Sequence, residues 1–244
     1  MLIYRLIFFL LTVIVMIVFI ILGVHPFLAA VITLPFILAI YIVIGIVRTK
    51  YRVGLLDDSC DPEAFLERTD MQMNITGRNP KIYNILLIDK AAGLMTLGRF
   101  HEAKEILFSI DKRFFTPHNG FLLVYTINLI YCFYELGEID RAEELFETEM
   151  AVLPPISPRA RLAVKMLVAE RFFYLKRYGE SREQFSKLLD QKLSKRMRMS
   201  ILFYLAQMDE MEGNSESAML KYSEVARKGN KLWIAVQSGT RHIH

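Results

Sequence analysis

Cysteine occurs twice in the 244 residues, at Cys60 and Cys132, and tryptophan once, at Trp233. Two cysteines build no disulfide framework, which suits a reducing compartment, and neither has a histidine or acid at ligand spacing, so no metal site is expected. The sequence contains no glycine-rich phosphate loop, no nucleophile elbow and no His-Glu-x-x-His pattern. Of the five histidines, His101 follows a turn and His118 sits in a polar loop, where solvated side chains are expected, and His242 and His244 read as a tail. These absences leave no constellation for catalysis; the chain is read as a non-enzyme with no cofactor.

Charge is also missing, over long stretches. Residues 6–22 and 27–47 carry none and are rich in Ile, Leu, Val and Phe. At about 1.5 Å per residue each is long enough to cross, or nearly cross, a hydrocarbon core of roughly 30 Å. Only Gly23, Val24, His25 and Pro26 separate them, so the two form a transmembrane hairpin, with Pro35 tolerated inside the second span. A cleaved signal peptide, with Arg5 as its basic start and Ala29 and Ala30 near the cleavage site, is the alternative, but its apolar run is too long. Arg48, Lys50 and Arg52 follow the second span as membrane-surface basic residues, while the short loop has no Lys or Arg, so the remainder faces the cytoplasm.

Those three and Arg5 are the only charged residues before Asp57; the other 26 basic residues balance 26 acidic ones. The net charge of +4 is thus a topology signal with some attraction to anionic lipid, and a nucleic-acid partner, which needs a basic face, is not expected.

What the rest of the chain has is a repeat. Leu97-Gly98-Arg99-Phe100-His101-Glu102-Ala103 returns as Leu136-Gly137-Glu138-Ile139-Asp140-Arg141-Ala142, and more loosely around Lys176 and Gly213. Positions 98, 137, 176 and 213 are 39, 39 and 37 apart, a period that means stacked units. An apolar helical run precedes each turn and an amphipathic one follows it. Gly98, Gly137 and Gly213 end the first helix of each pair in the left-handed conformation. Phe100, Ile139 and Tyr178 pack into the corner, and Ala103, Ala142, Ser181 and Ala218 let the two helices approach. Large residues follow four later, at Leu107, Phe146, Phe185 and Tyr222.

These residues resemble the tetratricopeptide repeat, over Tyr83 to about Gly229. Departures are Lys90 at a usually apolar position, Lys176 for the third glycine and Ser215 for the fourth aromatic. The expected fold is all-α: a transmembrane hairpin at 1–50, a juxtamembrane linker at 51–60, a capping half-repeat at 61–81, and four helical hairpins at 82–229. Residues 230–244 form a capping helix and tail. Asp61 caps the half-repeat helix, with Pro62 at its first position. The long period implies longer helices or longer links than the family norm.

The resemblance further implies that the first helices of the repeats line a concave groove for a peptide or helix. Carried across by offset from the turn, its residues are Ile88, Ala92 and Met95; Ile127, Tyr131 and Tyr134; Glu170, Phe173 and Tyr174; and Phe203 and Gln207. Ile88 and Ala92 occupy two positions where some members clamp a terminal carboxylate, which argues against that mode. The same aromatic stripe also fits a superhelix that closes and fills the groove with its own side chains. Charge is uneven: residues 159–198 carry twelve basic against four acidic side chains. That bias attracts an acidic partner or an anionic leaflet, or is solvated. The expected function is a membrane-anchored cytoplasmic scaffold recruiting a protein partner. In the alternative the chain is an accessory subunit of a membrane enzyme or transporter, with the hairpin as the functional contact.

Overall fold

The computed structural model describes residues 2–77 and 79–241, with side chains from Phe9 onward; Arg5, Arg78, His242 and His244 lie outside the described side chains. Twelve α-helices and three short 3₁₀ turns account for the regular structure, and no strand occurs among the described residues. Two compact units divide the chain, Met1–Val53 and Gly54–His244.

In the first unit, α1 spans Leu2–Ile21 and α2 begins at Pro26, the intervening Gly23 taking a φ of +78°. Among the described residues one helix, α2, is long and apolar enough to cross a membrane, a length-and-composition property. Most large apolar side chains of both helices are exposed, from Phe9 to Val47.

α2 continues to Asp57, so the linker expected from residue 51 is helical for its first seven positions. Nothing in residues 51–57 breaks a helix. The break comes at Cys60, left-handed at φ 54°, where the Ser59 amide reaches back to the Gly54 carbonyl and the Asp61 amide to that of Leu55. Of the three basic residues that follow the second apolar run, Arg52 is 5% exposed and Arg48 and Lys50 are exposed. Arg52 and Leu56 are one turn apart, and both fall on the covered face of the helix.

The second unit is a run of paired helices. α3 (Pro62–Thr76) starts on Asp61, whose carboxylate accepts from the Ala64 amide at 3.1 Å, and it packs along α4 (Pro80–Thr96). α4 pairs with α5 (Phe100–Phe108), α6 (Phe121–Glu135) with α7 (Ile139–Thr148), and α8 (Pro158–Tyr174) with α9 (Tyr178–Leu189). α10 (Lys195–Met211) pairs with α11 (Ser215–Lys228), which carries α12 (Trp233–Thr240). α12 lies within the stretch 230–244 expected to hold a capping helix and tail. Asn79, Ser157 and Ser194 cap α4, α8 and α10 with side-chain oxygens. The first links, residues 109–120 and 149–157, contain 3₁₀ turns, which accounts for the long period there.

The four turns share one geometry. Gly98, Gly137, Lys176 and Gly213 have φ of 77°, 74°, 59° and 78°. Each donates its amide to the carbonyl three residues back, and the next residue donates five back, as Arg99 does to Leu94 and Arg177 to Phe172. Ala103, Ala142 and Ser181 are wholly buried at the helix contact, and the Ser181 hydroxyl donates to the Ala169 carbonyl at 2.8 Å. Lys90 has its partner on α3, Asp70 at 2.8 Å.

Lys176 is exposed, so its side chain contributes little to offset its left-handed backbone. Lys176→Gly should raise the unfolding free energy by about 1 kcal/mol in chemical denaturation. Gly137→Ala, with open space around its Cβ, should lower it by a similar amount. Gly98→Ala should lower it further, because its Cβ would stand 3.1 Å from Trp233 Cβ.

Candidate functional site

The residues expected to line a groove come together, but against one another. Ile88, Met95, Tyr134, Glu170 and Phe203 are buried, and Ala92, Ile127, Tyr131, Phe173, Tyr174 and Gln207 are half-buried; none is exposed. Of the two arrangements the aromatic stripe allowed, the interior is the filled one.

A circuit of aromatic and hydroxyl contacts explains the filling. Phe100 meets Tyr131 edge-on at 6.0 Å, and the Tyr131 hydroxyl lies 3.5 Å from that of Tyr204. Tyr134 stacks on Tyr174 at 4.7 Å with planes 2° apart, and Phe173 meets Tyr204 at 5.0 Å. Phe203 packs on Trp233 at 5.3 Å, and Trp233 returns to Phe100 at 5.6 Å. The last helix thus lies on the first turn of the repeat array. Rings in these geometries add about 0.5–1.5 kcal/mol per pair beyond their area.

The segment after α2 seals the same seam. Cys60 is wholly buried in a cluster with Met199, Phe203, Leu232 and Ala235. Its carbonyl accepts the Lys231 amide at 3.2 Å, and the Asn230 side chain donates to the Ser59 carbonyl at 3.0 Å. Lys231 pairs with Glu63 at 2.8 Å and Asp61 at 3.3 Å, and Asp57 pairs with Arg159 at 2.6 Å and Arg196 at 2.9 Å. Burial pushes the Cys60 and Cys132 thiols up, Cys132 to about 12, so neither is a thiolate at neutral pH.

Two carboxylates share the closed interior. Tyr204 donates to Glu135 at 3.2 Å and its hydroxyl is 3.1 Å from that of Tyr174. Burial raises Glu135, partly offset by hydrogen bonds from the Tyr174, Tyr131 and Tyr204 hydroxyls. Glu170 is 8% exposed and makes no hydrogen bond or close ion pair with the described residues. Burial first, then the neighbouring Glu135, push it to about 8, with Arg196 pulling the other way. Glu170 is therefore mostly proton-bound at neutral pH. This arrangement holds a proton and orients rings.

Sequence reasoning missed Tyr204, Glu135, Trp233 and Cys60. Glu135 stands one turn after Tyr131 on the same helical face, a signal that was legible. Among the described residues, no group of three or more His, Cys, Asp or Glu side chains is close enough to hold a metal. Outside, a cleft of about 580 Å³ lies between α3 and α4, lined by Asp70, Met73, Asn74, Gly77, Tyr83 and Lys90. Comparison with protein-family models, with curated proteins and with solved structures returned no match.

A carboxyl held at about 8 when folded and near 4.5 when unfolded contributes full stability below the lower value and loses it as pH rises through the upper. Thermal melts should therefore fall between about pH 4.5 and 8, with a slope from this group of up to about 1.4 kcal/mol per unit. Glu170→Gln should flatten that fall and melt higher than the parent at pH 8.

Proposed function

We propose that the chain is a membrane-anchored scaffold of the tetratricopeptide-like kind, held by two spans, α1 and α2, with the repeat domain on the cytoplasmic side, where it recruits a protein partner. The observation that carries this reading is the combination of an apolar helix of span length with a domain of paired helices that share one turn geometry. The 20 residues of α1 are long enough for a second span, and Arg48 and Lys50, exposed after the apolar run of α2, supply the positive-inside bias.

The filled interior moves the recruitment surface outward. Met71, Ile75, Ile82 and Tyr83 expose apolar area at the α3–α4 end, around the cleft crossed by the Asp70–Lys90 pair. An apolar surface with a polar floor suits a partner helix or segment whose large side chains enter the cleft. A second reading, the accessory subunit, draws support from the same filling. In the first unit Ala29 and Thr33 are wholly buried one turn apart, a small-residue face on an otherwise exposed helix.

The readings separate by affinity capture from detergent extract, comparing the full chain with a chain whose residues 1–47 are exchanged for an unrelated apolar hairpin. Recruitment by the repeat domain predicts that the same partner is kept by both. Loss of the partner from the exchanged chain would establish the hairpin as the contact instead. Within the recruitment reading, Tyr83→Ala with Met71→Glu should weaken capture about tenfold or more without lowering the melting temperature, because both side chains are exposed. Tyr134→Ala should lower stability by about 3 kcal/mol or more.

A further inference from the structure

The basic bias of residues 159–198 separates into paired and unpaired cations. Arg171 is held by Glu143 at 2.6 Å, Arg182 by Asp209 at 2.6 Å, and Lys187 by Glu183 at 2.6 Å; Arg177 bonds Glu180. Arg161, Lys165, Lys192 and Lys195 are exposed and make no ion pair with the described residues. Arg198, also exposed, reaches only the Leu189 carbonyl, at 3.4 Å. The first two stand in the first two turns of α8, and the others in the first turn of α10 or the link before it.

The same two helix starts supply Arg159 and Arg196, which bind Asp57. The chain therefore enters its second unit beside these cations. Asp190 is the one acid within four residues of these five cations in the sequence, so they are in excess.

The covalent chain between the apolar stretch and this second unit is short. The uncharged stretch of α2 ends at Val47, and the helix runs unbroken for ten more residues to Asp57, about 15 Å of rise. Ten residues are thus the whole covalent tether between the apolar stretch and the entry to the second unit at Asp57.

We propose that the exposed edge formed by Arg161, Lys165, Lys192, Lys195 and Arg198 docks on anionic lipid headgroups of the membrane that α2 spans. This inference rests on the reading of α2 as a span. It makes the domain a surface-bound body, held at a second place besides its covalent tether, whenever the leaflet is negatively charged.

The test is amine-acylation footprinting of the full chain in nanodiscs of zwitterionic lipid and of the same lipid enriched in phosphatidylglycerol. Labelling of Lys165, Lys192 and Lys195 should slow several-fold in the anionic discs. Lys176, exposed at the far end of α8, should label equally in both. Arg161→Glu with Arg198→Glu leaves the three reporter lysines in place and should abolish the difference. About 1 M salt, which shortens the Debye length to about 3 Å, should abolish it too. Equal labelling in both discs, or a lipid dependence that survives the charge reversal, would overturn the inference. So would the same protection produced in zwitterionic discs by soluble inositol hexakisphosphate, which would assign a solution anion site. Failure of the chain to insert into either disc would overturn the span reading along with it, whereas insertion with indifferent lysines would overturn this inference alone.

Discussion

Closure of the repeat array depends on one contact, Trp233 against Gly98. A side chain at residue 98 is excluded twice over: the backbone is left-handed at φ 77°, and a Cβ would stand 3.1 Å from Trp233 Cβ. Because residue 98 ends α4 and Trp233 begins α12, the contact ties the first repeat turn to the last helix. Everything inside then becomes interior. Tyr131, Tyr174 and Phe203, which would face solvent in an open superhelix, are covered by one another, by Cys60 and by Trp233 itself.

Enclosure also explains the chemistry of the acids. Desolvation raises both Glu135 and Glu170, and the neighbouring Glu135 raises Glu170 further. Three tyrosine hydroxyls offset part of that for Glu135 and none bonds Glu170. A hydrocarbon side chain at residue 170 would avoid the penalty, so the interior is not arranged for stability alone. The Asp209 network makes the contrast: there Arg182 and Lys221 at 2.6 and 2.5 Å, with the Ser217 hydroxyl at 2.8 Å, hold the carboxyl below its ordinary range, despite desolvation.

What was legible in the sequence was local. The four turns could be read from spacing because a left-handed residue followed by two reciprocal hydrogen bonds is specified within about eight residues, and even Lys176 adopts it. The cap at Asp61 and the small residues at Ala103 and Ala142 follow for the same reason. The seam was illegible because its partners are far apart in the chain: Asn230 on Ser59, Lys231 on Cys60, Arg196 on Asp57. No periodicity encodes such a pairing. The stripe that named Tyr131 and Phe203 as groove residues marks one face of their helices, and a stripe cannot tell a lined groove from a filled one. A charge marks where an apolar stretch stops, not where a helix does, and α2 runs on through Arg48, Lys50 and Arg52, all good helix formers.

With the side chains of the first helices covered by one another, the second unit keeps its edges and outside for contacts. The side chains left without an internal role are distributed accordingly. Met71, Ile75, Ile82 and Tyr83 gather at the α3–α4 end, and Arg161, Lys192 and Lys195 gather where α8 and α10 begin. The partly buried carboxylate of Asp57 is matched, by Arg159 and Arg196, since an unmatched charge there would carry an uncompensated desolvation cost. Cations on the rim carry no such cost, so stability does not decide their number or sign.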